Sequence, residues 1–204
     1  RFSYNNPNLQ QIPARDSADA ELKIGTLIRS LFLPEEGEKW GSFDYSQQEP
    51  RLVVHYANKV GLEGSQKLLE AYQSNKNTDF HTIMAEIANI PRKSAKTINL
   101  GLFYGMGVGK LSDQMGIDPA EAKALINQYN ERVPFVRQLA DKVSDHAQRK
   151  GRVRTILGRQ CRFDLWEPKS FGSHKAYPYE KAIEEYGSNI GLKRAGTYKS
   201  LNRL

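Results

Sequence analysis

Apolar residues recur at helical spacing along most of this chain, and that periodicity restricts its fold more than any other feature of the sequence. The pattern predicts a helix from Gln47 to Asn58, in which Pro50 is tolerated because it falls near the first turn. A last helix is predicted over about 178–203. Five more helices are predicted at about 63–74, 78–89, 91–106, 118–131 and 134–150, and all but the first begin at a Thr, Asp or Pro residue.

Strand patterns are few and short. Leu27–Leu33 and Trp40–Phe43 are apolar runs separated by a turn sequence, and we predict that they form two antiparallel strands. Asp44 would then stand at the end of the second strand. Residues 151–165 are predicted to form a β-hairpin that turns at Leu157-Gly158.

The composition excludes several classes of protein. With one cysteine, Cys161, the chain cannot form an intrachain disulfide, and no CxxC or HxxxH spacing offers a zinc site. No window approaches the roughly 18 consecutive apolar residues that a bilayer crossing needs. The first residues also lack the pattern of a signal peptide. We therefore expect a reducing compartment, the cytoplasm, and no membrane partner.

Basic residues outnumber acidic ones, with 30 Lys and Arg against 23 Asp and Glu, and the net charge of +7 favours a polyanionic partner. The excess is concentrated in residues 132–162, which contain nine basic residues and two acids. Its last part, 149–162, has six cations, no acid and interspersed apolar residues, which predicts a hairpin with a basic face. Such a face would suit a phosphate backbone, although a charge run is more often plain solvated surface.

The helix predicted to begin at Pro91 carries the clearest candidate for a binding surface. On one of its faces, at i, i+4 spacing, lie Arg92, Lys96, Leu100 and Tyr104. The cations in its first two turns oppose the helix dipole at about 0.3–1 kcal/mol each when exposed, so something anionic is expected to offset them. A bound triphosphate would do so. The alternative is an amphipathic helix with a basic flank.

Other patterns are ambiguous or fail. Gly105 to Lys110 ends in Gly-Lys but lacks the remaining glycine and the preceding strand of a phosphate loop, so it is predicted to be a helix end and a joint. Asp44 lies where a carboxylate could reach a metal, yet a helix cap is the commoner role for a lone Asp. The four histidines share no ligand spacing.

Two segments resolve the ambiguity by resemblance. They are Asp44-Tyr45-Ser46-Gln47-x-Glu49-x-Arg51 and Arg92-x3-Lys96-x2-Asn99-x-Gly101-x2-Tyr104-Gly105. They closely resemble the two successive signature motifs of family A DNA polymerases, the DNA polymerase I family. The segments at 1–13 and at Asp79-Phe80-His81 resemble the family's sequences ahead of these motifs. Order and spacing agree over essentially all 204 residues, and the residues at 47–51 and 157–164 look more phage-like than bacterial.

The resemblance implies an α+β fold, part of a right-hand polymerase with an antiparallel palm sheet and mostly helical fingers. It implies palm at 1–57, fingers at 58–197 with the nucleotide-binding helix 91–106, and the start of a return to the palm at 198–204. The implied activity is template-directed addition of deoxynucleotides to a primer 3′ end, with two Mg²⁺ ions. The implied partners are primer–template DNA, dNTPs and unidentified accessory replication proteins, in the cytoplasm of an infected bacterial host.

The resemblance also implies roles for single residues. Asp44 and the Tyr45 carbonyl would bind metal, and Lys96 would both bind the triphosphate and protonate the leaving group. Glu49 resembles a steric gate that excludes a ribose 2′-hydroxyl. The residues implied to contact the incoming nucleotide are Tyr45, Gln47, Glu49, His81, Arg92, Lys96, Leu100 and Tyr104. Those expected to contact DNA are Arg1, Gln10 and Asn202 in the minor groove and, from their charge, Arg152 and Arg154 on phosphates.

The chain departs from the family pattern at several points. Leu100 stands where many members carry Phe or Tyr beneath the incoming sugar, and Tyr198 stands where the bacterial pattern has Arg. The third family motif, a His-Asp-Glu on a later palm hairpin, would lie beyond Leu204, and without it the metal pair would lack a main ligand. We therefore expect the 204-residue chain to be a polymerase fragment that is inactive by itself.

Two other functions are weighed against this one. A single-subunit RNA polymerase is the competing enzyme, and Glu49 in its Asp-Tyr-Ser-Gln context argues against it. A non-catalytic basic domain would bind nucleic acid with salt-dependent affinity but would bind no nucleotide. Protection of Lys96 from acylation by a nucleotide would distinguish the enzyme from the plain binder.

Overall fold

Helices make up most of the computed structural model, which describes residues 12, 24–41, 43–170 and 172–204. In chain order the helices are α1 (Ile24–Ser30), α2 (Gln48–Lys59), α3 (Ser65–Ser74), α4 (Phe80–Ala88), α5 (Arg92–Phe103), α6 (Val108–Met115), α7 (Pro119–Arg132), α8 (Pro134–Lys150) and α9 (Tyr179–Tyr186). The strands are β1 (Arg152–Arg154), β2 (Gln160–Arg162), β3 (Leu165–Pro168), β4 (Tyr177–Pro178) and β5 (Leu192–Arg194). They form an antiparallel pair, β1-β2, and a three-stranded antiparallel sheet in the order β4-β3-β5. The predicted α+β class is confirmed.

The chain divides into two compact units, Arg1–Tyr45 and Ser46–Leu204, and the first contains a helix where strands were predicted. The strand predicted at Leu27–Leu33 is wrong, because α1 covers most of it. The strand predicted at Trp40–Phe43 is also wrong, since the described residues there have no regular secondary structure. The large apolar side chains of both stretches are exposed. A two-stranded ribbon that covers no apolar surface is marginal at best, whereas a helix satisfies backbone hydrogen bonds within its own segment.

In the second unit the helices predicted from Gln47 to Lys150 are confirmed, with ends shifted by up to three residues. Each buries one apolar stripe, and the stripes meet in a core whose largest fully buried side chains include Tyr129, Phe80, Met84 and Ile98. The helix α4 packs on α5, α2 packs on α3 and α8, and α6 packs on α7. None of the helices within the described ranges is long and apolar enough to cross a membrane.

The glycine-rich joint after α5 is shorter than the sequence indicated. The helix ends at Phe103 instead of 106, and α6 begins at Val108, inside the segment predicted to be a joint. Gly105 has a φ of +68°, and a Cβ there would lie 2.8 Å from the ring of Tyr198 and 2.9 Å from its carbonyl oxygen. Glycine is therefore needed at this position both for its conformation and for the close approach of the 3-10 turn Thr197–Lys199.

The helix predicted over 178–203 is wrong in its second half. Only α9 is helical, and the chain then enters β5, which pairs with β3, and ends in two 3-10 turns. A strand partner contributed by a distant part of the chain outweighs the local helical pattern. This segment is also tied to α8, because the Gln148 side chain donates to the carbonyl of Arg194 at 2.8 Å and accepts from its N–H at 2.9 Å.

Candidate nucleotide-binding site

An ion pair fastens the beginnings of α4 and α5 together. One oxygen of Asp79 caps α4 by accepting from the backbone N–H groups of His81 at 2.9 Å and Thr82 at 3.2 Å. Its other oxygen accepts from Arg92 Nη2 at 2.5 Å and Nε at 3.2 Å. Burial raises the pKa of Asp79, but the hydrogen bonds from Arg92 and the amides outweigh it, and the net shift is below the ordinary value. The carboxylate thus holds Arg92 at the start of α5.

The positive charge at the start of α5 is only partly neutralised by the protein. The cations at the start of α5 were expected to need an anion, and the Asp79 carboxylate supplies one by pairing with Arg92. Among the described residues, neither Lys93 nor Lys96 takes part in an ion pair, and both are exposed. The two lysines therefore leave a positively charged surface at this end of the helix.

The i, i+4 face predicted on this helix is present over most of its length. Arg92 and Lys96 are exposed and Leu100 is half-buried, all within α5. Tyr104 follows as the C-cap residue and is 44% exposed. The face thus runs from two cations at the start of the helix to an aromatic ring just after its end.

His81 lies behind this cationic surface in a buried polar network. Asn99 Nδ2 lies 3.1 Å from His81 Nδ1, and the Tyr129 hydroxyl donates a hydrogen bond to Asn99 Oδ1. Burial lowers the pKa of His81, Arg92 and Lys96 lower it further, and Asp79 only partly opposes them. The imidazole is therefore neutral at pH 7.

The contact of His81 with Asn99, and that of Asn99 with Tyr129, were not predicted from the sequence. The available signal was an amide on an otherwise apolar face: the buried residues of α5 are Ala95, Ile98, Asn99, Gly101 and Phe103. Because a buried amide requires hydrogen-bond partners, this position predicts a polar contact, though not its identity.

Gln47 connects the first motif to the helix that carries His81. It adopts the left-handed conformation, with a φ of 54°, and precedes α2 as its N-cap residue. Its amide nitrogen donates to the Thr78 carbonyl at 2.7 Å, while its oxygen accepts from the Phe80 N–H at 2.9 Å and the Tyr72 hydroxyl at 3.2 Å. Both acceptor positions are therefore used within the protein, whereas the second amide hydrogen has no partner among the described residues.

Glu49 and Asn202 line the same cleft. Both side chains are exposed at its rim, while Phe103 and Leu201 are among its apolar walls. The cleft is small, with a volume of about 60 Å³. The predicted sugar-gate residue and a predicted minor-groove residue are thus brought together.

Asp44 and Tyr45 belong to the first unit, and both are exposed. The alternative that Asp44 caps α2 is wrong, because the N-cap residue is Gln47. A carboxylate and a main-chain carbonyl are the oxygen ligands that Mg²⁺ takes in proteins, so the donor types fit. Within the described ranges no group of three His, Cys, Asp or Glu residues is close enough to hold a metal ion. The assignment of Asp44 and Tyr45 as metal ligands stays a prediction.

The predicted basic hairpin is confirmed. In its register Arg152 faces Arg162, Val153 faces Cys161, and Arg154 faces Gln160. Val153 is 2% exposed and packs inward, whereas the arginines of both strands point to solvent. Like charges directly opposite each other destabilise a strand pair, so this surface is better suited to an anionic partner than to none.

The remaining DNA-contact predictions stay predictions. Arg1 and Gln10 lie outside the described residues. Asn202 is exposed in the 3-10 turn Leu201–Arg203, and Arg154 is partly engaged, since its Nε donates to the Gly158 carbonyl at 3.1 Å.

The second unit has exposed cations on α5 and on the hairpin, and the neutral, buried His81 lies behind the cations of α5. These features define a protein whose surface suits phosphate-bearing ligands.

Residues 1–183 match the sequence model of the family described as DNA polymerase family A, and the chain belongs to that family. The match confirms the family that the resemblance of the two motifs indicated.

Individual relatives support the same assignment. The chain is 36% identical to a DNA-directed DNA polymerase of Pseudomonas phage M6 over 80% of this chain and 30% of the relative. It is 34% identical to DNA polymerase DpoZ of Acinetobacter phage SH-Ab 15497 over 100% of this chain and 32% of the relative. It is 35% identical to the thermostable DNA polymerase I of Thermus aquaticus over 78% of this chain and 19% of the relative.

A solved structure also matches the fold. The POL domain of Pol1 from M. smegmatis, in complex with DNA primer-template and dNTP, superposes with a TM-score of 0.59 and 32% identity, over 80% of this chain and 28% of that one. The chain thus spans about a third or less of the length of the relatives it matches.

Proposed function

We propose that the protein containing this chain is a DNA-directed DNA polymerase that adds deoxynucleotides to a primer 3′ end. The observation that carries the proposal is the face of α5, where Lys96 is exposed and unpaired among the described residues beside an Arg92 held by Asp79. Membership of DNA polymerase family A supports it. Within that proposal, residues 1–57 belong to the palm, 58–197 to the fingers and 198–204 to the return to the palm.

The proposed partners follow from the two cationic surfaces. The face of α5 would bind a dNTP, and the hairpin carrying Arg152 and Arg154 would contact the phosphates of primer–template DNA. The phage relatives support a location in the cytoplasm of an infected bacterium.

The α5 residues would stabilise the negative charge of the triphosphate. Arg92 is already oriented by Asp79, so little of its side-chain freedom is lost when it binds phosphate. Lys96 would bind the charge that develops on the leaving pyrophosphate and donate a proton to it. His81, being neutral, would add a hydrogen bond without further charge.

Asp44 and the Tyr45 carbonyl would hold Mg²⁺ in the complete active site. When bound, two such ions supply charge stabilisation to the attacking and leaving oxygens of phosphoryl transfer. The protein's own contribution there would be one carboxylate and one carbonyl, and nucleotide phosphates commonly complete the coordination of Mg²⁺.

Protection of Lys96 from acylation tests nucleotide binding. In the complete gene product that contains this sequence, a complementary dNTP bound with primer–template DNA should slow acetylation of Lys96, measured by mass spectrometry of the peptides. Lys93 is an internal control, because it is an exposed lysine of the same helix outside the i, i+4 face. Equal reactivity of Lys96 with and without dNTP would favour a protein that binds DNA but no nucleotide.

Glu49→Ala tests the choice of sugar. If Glu49 occupies the space of a 2′-hydroxyl at the rim of its cleft, its removal should raise the ratio of ribonucleotide to deoxynucleotide incorporation by about tenfold or more. The ratio is measured by single-nucleotide extension with each substrate. Glu63→Ala, which removes an exposed carboxylate elsewhere, should leave the ratio unchanged. An unchanged ratio in Glu49→Ala would contradict the gate and reopen the RNA polymerase alternative.

A further inference from the structure

Tyr129, Asn99 and His81 form a buried chain of hydrogen bonds in the second unit, and close packing alone does not require polar side chains there. Tyr129 and Asn99 are 0% exposed and His81 is 8% exposed, and they come from three different helices, α7, α5 and α4. Burying a hydroxyl and an amide is unfavourable unless each finds a partner, so apolar side chains would fill this space with less difficulty. The arrangement therefore points to a function of the group that the network ends on, the His81 ring.

The sequence of donors and acceptors determines which nitrogen of His81 carries the proton. The Tyr129 hydroxyl donates to Asn99 Oδ1, which leaves the amide N–H of Asn99 facing His81. The distance from Asn99 Nδ2 to His81 Nδ1 is 3.1 Å. Because this N–H needs an acceptor, Nδ1 must be unprotonated, and the proton of the neutral ring lies on Nε2.

Other contacts hold the ring in place and leave Nε2 free. Phe80 packs edge-on against His81, with ring centroids 5.9 Å apart and an interplanar angle of 83°. Asp79 accepts from the backbone N–H of His81 and so anchors its main chain. Since Nδ1 is taken by Asn99, and Nε2 has no hydrogen-bond partner in the part of the chain that the structure describes, Nε2 is the ring nitrogen available to an external acceptor.

We infer that Asn99 and Tyr129 are positioning residues, which hold the His81 ring as the Nε2–H tautomer so that it donates a hydrogen bond to a phosphate of the incoming nucleotide. The inference rests on the proposed function, because it takes the ligand of His81 to be a triphosphate. Neither Asn99 nor Tyr129 would contact the nucleotide itself.

The charges around His81 are consistent with this role. Burial lowers the pKa of the ring, and Arg92 and Lys96 at the start of α5 act in the same direction, against Asp79 at the start of α4. A protonated ring would carry a hydrogen on both nitrogens, and Asn99 would then face a second donor. The neutral ring keeps the contact to Asn99 and has one N–H, whose position the network determines.

The first test is the tautomer of His81 in the complete gene product labelled with ¹⁵N-histidine. The His81→Gln variant identifies the signals of His81 among those of the four histidines. At neutral pH we expect an unprotonated Nδ1 and a protonated Nε2 in the ¹⁵N NMR spectrum. A protonated Nδ1 would overturn the inference, whatever the polymerase activity.

The second test removes one hydroxyl. Tyr129→Phe keeps the ring in the core but deletes the donor to Asn99, so the amide can rotate and His81 should populate both tautomers. The KM for dNTP in primer extension should rise about fivefold, the effect of one weakened hydrogen bond, with a smaller change in kcat. Tyr186→Phe is the matched control, since it removes a hydroxyl that donates to the Lys175 carbonyl at 2.6 Å, and should change neither quantity.

A third variant keeps the shape of the network and reverses its polarity. Asn99→Asp retains an acceptor for Tyr129 but presents a carboxylate oxygen to Nδ1, so Nδ1 of His81 should become protonated. A ring whose Nδ1 stays unprotonated in this variant, or an unchanged tautomer and KM in Tyr129→Phe, would contradict the positioning role of Asn99 and Tyr129.

Different results would overturn the proposed function and the role of Asn99 and Tyr129. Absence of template-directed primer extension by the complete gene product would overturn the proposed function, and with it the nucleotide as the ligand of His81. An active polymerase in which Nδ1 is protonated would overturn this inference alone.

Discussion

Primer extension should fall by about a thousandfold or more in Asp44→Asn, because loss of a metal ligand removes several kcal/mol of charge stabilisation and about 1.4 kcal/mol corresponds to a factor of ten. The amide keeps the size of the side chain but not its charge, so binding of primer–template DNA should be nearly unchanged. Single-turnover extension measures the first quantity, and a salt-controlled binding titration measures the second.

Asp113→Asn is the matched control for this prediction. Asp113 is an exposed aspartate of α6 to which no role is assigned, and the same change there should leave both extension and DNA binding as they are. Retained extension in Asp44→Asn would contradict the assignment of Asp44 as a metal ligand. A parallel loss of DNA binding would instead indicate that Asp44 supports the local fold.

Lys96→Ala should lower kcat/KM for dNTP incorporation by about a hundredfold to ten-thousandfold, the range for loss of a positioned acid or of a charge-stabilising donor. The reason is that Lys96 is exposed and makes no ion pair among the described residues, so its charge is free to act on the triphosphate. Steady-state extension across a range of dNTP concentrations measures the effect. Lys93→Ala, one turn earlier on the same helix, should have a far smaller effect.

A conservative variant separates the two roles proposed for Lys96. Lys96→Arg keeps the positive charge, so the KM should stay near that of the unmodified protein. The guanidinium does not release its proton in proteins, so kcat should remain low if proton donation matters. Full recovery of kcat in Lys96→Arg would show that Lys96 binds the triphosphate but donates no proton. An effect of Lys93→Ala as large as that of Lys96→Ala would contradict the proposal that the nucleotide binds on the i, i+4 face of α5.

Local patterns predicted the helical part of this protein well and its strands poorly. Apart from α6, the helices from Gln47 to Lys150 follow from apolar spacing, because a helix is built from contacts within its own segment. The strands predicted at Leu27–Leu33 and Trp40–Phe43 do not form among the residues described there, and β5 lies inside a predicted helix. Strands depend on partners elsewhere in the chain, and periodicity within a segment does not identify those partners.

In the candidate site, too, features within one helix could be predicted from the sequence, whereas contacts between helices could not. Spacing alone placed Arg92, Lys96 and Leu100 on one face of α5, and motif resemblance pointed to His81 and Glu49. The pairing of Arg92 with Asp79 depends on how α4 packs against α5, and no local pattern contains it. The same packing explains why part of the positive charge at the start of α5, for which an anionic ligand was expected, is neutralised within the protein.

Residues close together in the chain were enough to predict α2 to α5, α7, α8, the cationic face of α5 and the basic hairpin, and two motifs were enough to predict the family. The side chains that complete the site could be identified only from the packing of the second unit. Tyr129 and Asn99 are 30 residues apart in the chain, and Gln47 and Thr78 are 31 apart. Each pair meets because separate helices pack into one core. Contacts of that range depend on the packing of the whole unit, which no window of sequence specifies.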